Sequence, residues 1–104
     1  MSLEHLRNRL RTFADDRDWE QFHTPKNLAM ALSVEASELV EIFQWLTPEQ
    51  SADVMSSDEA DHVREELADI LIYLVRVADV LGVDLLEAAQ FKVRKNSERF
   101  PPHA

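Results

Sequence analysis

The chain has 104 residues with no Cys, one Gly and four Pro, and its 20 acids against 11 bases give a net charge of −9. Disulfides, thiolate metal sites and cysteine nucleophiles are excluded, and so acidic a surface repels nucleic-acid polymers and anionic membranes. Its richness in Ala, Leu, Val and Glu predicts one all-α domain over residues 1–104, without a membrane span or signal peptide and resident in the cytoplasm.

The first helix opens at Ser2 as N-cap and lays Leu3, Leu6, Leu10 and Phe13 on its buried side. It ends in the charged stretch Asp15-Asp16-Arg17-Asp18. A loop follows, Trp19-Glu20-Gln21-Phe22-His23, whose aromatics either pack back or take something flat. Thr24-Pro25 is a helix start, and the helix it opens is expected to run to Trp45 or Leu46. Thr47-Pro48-Glu49-Gln50 repeats that signal with a capping-box Gln and predicts a short helix to about Met55. Ser56-Ser57-Asp58-Glu59 reads as a turn and a further capping box, followed by a long helix to Leu81 that Gly82 closes. Asp84-Leu85-Leu86-Glu87 caps the last helix, which carries Leu86, Ala89, Phe91 and Val93 and stops before Pro101-Pro102. Together these elements predict a four-helix bundle-like subunit. Between Leu67 and Val83 the chain is apolar on most sides, so the subunit is expected to associate into a homodimer or homotetramer.

Two of the long helices carry acids where apolar residues belong. Leu28, Leu32, Leu39, Ile42 and Leu46 step at helical spacing, Glu35 fills a slot in that stripe, and Glu38 lies one turn on. In the later helix Asp69 is the only charge between Leu67 and Val75, with Glu66 three residues before it. A buried carboxylate must be paired, protonated or bound to a metal, and four converging carboxylates repel one another. A hard divalent cation resolves this, so Glu35, Glu38, Glu66 and Asp69 are the candidate metal ligands and catalytic acids. Oxygen ligands without Cys or paired His favour Mg²⁺, with Mn²⁺ as substitute. Glu41 and Glu65 are either additional ligands or surface acids. A solvated helix flank would explain one such pair better than two. A di-iron centre needs two Glu-x-x-His units, and Glu59-Ala60-Asp61-His62 supplies one.

Lys92, Asn96 and Arg99 form one polar stripe on the last helix, with Lys95 beside it, suited either to phosphates or to solubility. Trp19, Phe22, His23, Trp45 and Tyr73 are suited to wall a pocket for a planar base, with Asn27 reading a base edge. Core packing and a simple first-turn polar role are the plainer readings. His5 and His103 read as surface residues.

Several of these segments together resemble the all-α nucleotide pyrophosphohydrolases of the MazG-like superfamily, most of all its dCTP pyrophosphatase branch. The segments are Asp18-Trp19-Glu20-Gln21-Phe22-His23, Pro25-Lys26-Asn27-Leu28, Glu35-x-x-Glu38-Leu39, Phe43-Gln44-Trp45, Glu65-Glu66-Leu67-Ala68-Asp69 continuing through Tyr73-Leu74, and Lys92-x-x-x-Asn96-x-x-Arg99-Phe100-Pro101. The resemblance implies cleavage of a nucleoside triphosphate, dCTP or a modified dCTP, between α and β phosphates for nucleotide-pool house-cleaning. It implies Mg²⁺ on Glu35, Glu38, Glu66 and Asp69, and a base and sugar pocket lined by Trp19, Phe22, His23, Trp45 and Tyr73. It further implies phosphate contacts from Lys92, Asn96 and Arg99, in sites built between subunits of a dimer or tetramer. Leu10 departs from the pattern, since some dCTP-type members carry a nucleotide-touching His there, and Phe100-Pro101 replaces the commoner Tyr-Pro. Base preference therefore stays open to dUTP or a modified purine triphosphate. A non-catalytic helical oligomerisation module is the alternative of a different class.

Overall fold

The computed structural model describes residues 1–103, all helix and connecting turns. Ser2 caps α1 (Leu3–Asp16), its Oγ accepting the His5 N–H at 3.0 Å. Thr24 caps α2 (Pro25–Phe43) by accepting from the Asn27 N–H. Thr47 and Gln50 exchange hydrogen bonds as a complete capping box on α3 (Pro48–Ala52). Gly82 closes α4 (Ala60–Leu81) at φ 71°, a left-handed backbone that suits a residue without Cβ. Asp84 opens α5 (Leu85–Arg99) by accepting from the Glu87 N–H.

Three boundaries differ from expectation. α2 stops at Phe43, because Thr47 must be extended before Pro48 and the chain leaves the helix through Gln44, Trp45 and Leu46 to reach that geometry. The short helix ends at Ala52 and tightens into a 3₁₀ turn over Val54–Ser56. At the start of α4 there is no capping box. Glu59 has φ −84° and ψ −4°, not the extended cap geometry, and Ser57 gives its hydroxyl to the Val54 carbonyl while accepting from the Glu59 N–H.

Helix α2 packs along α4, and α1 packs on α4 less extensively. Ala14, Leu28, Val54, Val63, Val75 and Ala78 are the buried apolar residues, with Leu28 only 2% exposed. That is a small core. The Cα radius of gyration, 16.8 Å, exceeds the roughly 13 Å expected of a compact chain of this length. Helix α5 is the reason: every residue from Leu86 to Arg99 is exposed. The all-α subunit has the four long helices expected, α1, α2, α4 and α5, and α5 projects from the other three. Its Leu86, Phe91 and Val93 stay uncovered, as do Leu67, Leu71 and Leu74 on α4. No described helix is long and apolar enough to cross a membrane.

Candidate functional site

The α2–α4 packing brings one carboxylate oxygen each from Glu35, Glu38 and Glu66 within 4.8 Å of one another. Glu66 is buried, and the Oε2 atoms of Glu35 and Glu66 are both buried without a hydrogen-bond partner. Each such orphaned acceptor costs about 1–3 kcal/mol. Glu35 answers by holding a proton: its pKa is pushed up to about 7, first by the Glu66 carboxyl close enough to share that proton, then by burial, then by Glu38. Asp69 adds a further push but is outside the three-acid cluster, half-buried at its margin. An all-oxygen set with surplus negative charge and two orphaned buried oxygens fits a hard divalent cation. Glu41 and Glu65 are exposed and stand apart from the cluster.

His62 went unmarked as a neighbour of these acids. Its Nε2 lies 3.5 Å from Glu66 Oε1 and its Nδ1 3.0 Å from Glu59 Oε2, and the Glu59 contact raises its pKa. The i, i+4 spacing from His62 to Glu66 was the available signal.

Because the folded metal-free chain keeps Glu35 protonated to about pH 7, while the unfolded chain releases that proton near 4.5, folding is favoured below the lower value. That contribution is lost as pH rises through the upper one. In EDTA, the parent is expected to lose melting temperature relative to Glu35→Gln between pH 5 and pH 8. If the cluster takes Mg²⁺ through the Glu35 carboxylate, saturating Mg²⁺ should reverse the order at pH 8. Thermal melts of both proteins at the two pH values check this.

Tyr73, one turn along α4 from Asp69, borders a largely apolar cavity of about 240 Å³. Leu10, Phe13 and Ala14 of α1, Trp19 and His23 of the following loop, and Ile72 and Arg76 of α4 complete its wall. The loop folds back because Asp18 adopts φ 55°, a conformation uncommon outside Gly. Trp19 N–H then bonds the Ala14 carbonyl at 3.0 Å, and the Phe22 and His23 N–H groups return to the Trp19 carbonyl at 2.8 and 3.0 Å. Trp19 stands edge-on to Phe13 at 5.5 Å and tilts against His23 at 5.9 Å. Arg76, only 6% exposed, bonds His23 Nδ1 at 3.1 Å and Asp79 at 3.2 Å. Arg11 also donates to Asp79, and that bond holds the Asp79 carboxyl below the usual carboxylate range.

Trp19, His23 and Tyr73 thus share one cavity wall. Phe22 and Trp45 do not join them: Phe22 is exposed, and Trp45 is 87% exposed in the turn after α2. Asn27 is exposed, and its amide N–H ties the Phe22 carbonyl at 3.0 Å. Lys92, Asn96 and Arg99 lie along the exposed α5 around a shallow cleft with Lys95 and Glu98. In one chain that helix packs substantially on neither acid-bearing helix. Arg76 and Asp79 escaped the sequence reading, although both are charges within an apolar run, the signal that marked Asp69.

The profile of the MazG-like family matches residues 30–103. The proteins named dCTP pyrophosphatase 1 from Bos taurus and Homo sapiens are each 46% identical to this chain over 103 residues, covering 98% of this chain and 61% of the relative. The Mus musculus protein of that name is 44% identical over the same length. The chain spans about three fifths of the length of the curated relatives it matches. A crystal structure of a pyrophosphatase from Archaeoglobus fulgidus superimposes with a TM-score of 0.89 at 42% identity, covering 95% of this chain and 92% of that one.

Proposed function

Since the chain belongs to the MazG-like family, we propose that it is a cytoplasmic Mg²⁺-dependent nucleoside triphosphate pyrophosphohydrolase that acts on dCTP or a modified dCTP. The observation that carries this reading is the convergence of Glu35, Glu38 and Glu66 with two buried, unpartnered oxygens. When bound by these residues with Asp69, a divalent cation supplies Lewis acidity and offsets the charge of the triphosphate. A carboxylate of the cluster orients the attacking water and takes its proton as the water adds to the α-phosphorus. The bridging bond to the β-phosphate breaks, leaving a deoxynucleoside monophosphate and pyrophosphate. Trp19 and Tyr73 hold the base in the apolar cavity by stacking and fit.

Lys92, Asn96 and Arg99 hold phosphate oxygens and steady the departing pyrophosphate. As α5 projects, those side chains reach the acids of a second copy in a homodimer or homotetramer. The exposed Phe22 and Trp45 are free to wall the pocket across the same interface. Asn27 keeps its carbonyl oxygen for the base while its N–H holds the loop.

Pyrophosphate release from dCTP, a 5-modified dCTP, dUTP, dTTP and the purine dNTPs, with and without Mg²⁺, tests the proposal. Turnover should require the divalent ion and be fastest on a cytosine substrate. No release from any of them with Mg²⁺ or Mn²⁺ present would end it. In the same assay Trp19→Ala should raise the KM by about 10- to 100-fold, the range that loss of one base–aromatic stack implies. An unchanged KM would move the base elsewhere.

A further inference from the structure

Among the described residues, His23, Tyr73 and Arg76 are the ionisable groups on the cavity wall, and the hydrolytic reading gives Arg76 no task. Its Nε–H points to His23 Nδ1 at 3.1 Å, and Nη1 donates to Asp79 at 3.2 Å. A guanidinium has donors and no acceptor, so His23 Nδ1 takes part only through a bare lone pair. The ring proton must then sit on Nε2. Asp79 fixes the guanidinium from its far side, and Arg11 in turn holds Asp79. Burial and the Arg76 charge also keep His23 below its ordinary pKa, which favours a neutral ring. Nε2 bonds no described residue, and it is not among the buried unpartnered atoms.

We propose that Arg76 is a positioning residue for base recognition: its Nε–H locks His23 as the Nε2–H tautomer, so the cavity meets its ligand with a hydrogen-bond donor. The inference rests on reading this cavity as the base pocket. A heterocycle entering it is favoured when it turns an acceptor to His23. Cytosine offers two adjacent acceptors, N3 and O2, whereas uracil and thymine carry a hydrogen on N3. A neutral His whose Nε2–H faces N3 discriminates there: the cytosine lone pair accepts it, whereas the N3–H of uracil or thymine sets donor against donor unless the base shifts to offer O2 or O4.

Histidine ¹⁵N spectra of the full chain test the lock. His23, identified by its loss in His23→Asn, should show an unprotonated Nδ1 and a protonated Nε2. A proton on Nδ1, or averaging over both nitrogens, overturns the proposal. Arg76→Met should release the lock, averaging the tautomers and raising the KM for dCTP about tenfold, the effect of one lost hydrogen bond in an apolar site. The kcat should stay within about twofold, because the change falls on binding and not on the reacting phosphates. If the Met variant does not fold, Arg76→Lys carries the test: Arg76 serves His23 and Asp79 from two separate nitrogens, and a single ammonium nitrogen drawn to Asp79 loses the fixed donor at His23. Parent-like tautomer and KM in the folded variant, while Trp19→Ala still raises the KM, overturn the Arg76 assignment alone. Unchanged KM in the Trp19, His23 and Arg76 variants alike removes the base-pocket reading instead.

Discussion

Glu66→Gln is expected to move stability and activity in opposite directions. Glu66 is buried, its Oε2 has no partner, and its carboxyl is the largest influence raising the Glu35 pKa. Glutamine keeps the shape, removes one of the crowded charges and brings an N–H₂ able to donate to Glu35. In EDTA at pH 8 the variant should melt higher than the parent by about 4–8 °C, the shift that roughly 1 kcal/mol produces in a domain of this size. Mg²⁺ is expected to stabilise the parent and not the variant. Pyrophosphate release should fall about 10²- to 10³-fold, as when one electrostatic contributor to a transition state is removed. Glu65→Gln, altering the exposed neighbour in sequence, is the control and should leave all three readings near those of the parent. A Glu66→Gln protein that hydrolyses dNTPs at the parent rate would show that the cluster is not the reaction centre.

What was legible in the sequence is what local chemistry decides. Ser2, Thr24, Thr47 and Asp84 cap their helices because a short side-chain acceptor in an extended residue reaches first-turn N–H groups without help from the rest of the fold. Glu35 was visible because it interrupts an apolar stripe and Glu66 because it stands three residues before Asp69, the charge within the other apolar run; the pairing of α2 with α4 joins the two. Spacing alone could not separate Glu66 from Asp69. Residues three apart share a face, but the rotation of α4 against α2 sets which oxygen enters the cluster. The Arg76–His23 and Arg11–Asp79 contacts link positions 53 and 68 residues apart, and no local pattern encodes them. The course of α5 was illegible for a different reason. Its amphipathic pattern says that Leu86, Phe91 and Val93 need cover, without saying whose chain provides it.

That last ambiguity has a decisive experiment. Glu66→Gln disables the acids of its own chain, and Lys92→Ala with Asn96→Ala disables its α5, so each protein alone is expected to be nearly inactive. If α5 serves the acids of a second copy, a mixed dimer holds one site with both defects and one with neither. Co-refolding equal amounts makes half of the dimers mixed, so about a quarter of the parent activity should return, the fraction set by a two-fold symmetric shared site. If α5 instead folded back onto its own chain, every site would keep one defect and mixing would restore nothing. The first outcome is the expected one, because α5 projects from its own chain with Leu86, Phe91 and Val93 exposed. Those side chains and the exposed Leu67, Leu71 and Leu74 of α4 form two apolar faces that the single chain leaves apart, and a second copy can cover both. Fully burying one such side chain is worth about 1.5–3 kcal/mol, so covering these faces favours association. Activity that returns on mixing and fades on dilution below the dissociation constant of the dimer would place the α5 side chains and the acid cluster of one site on different chains.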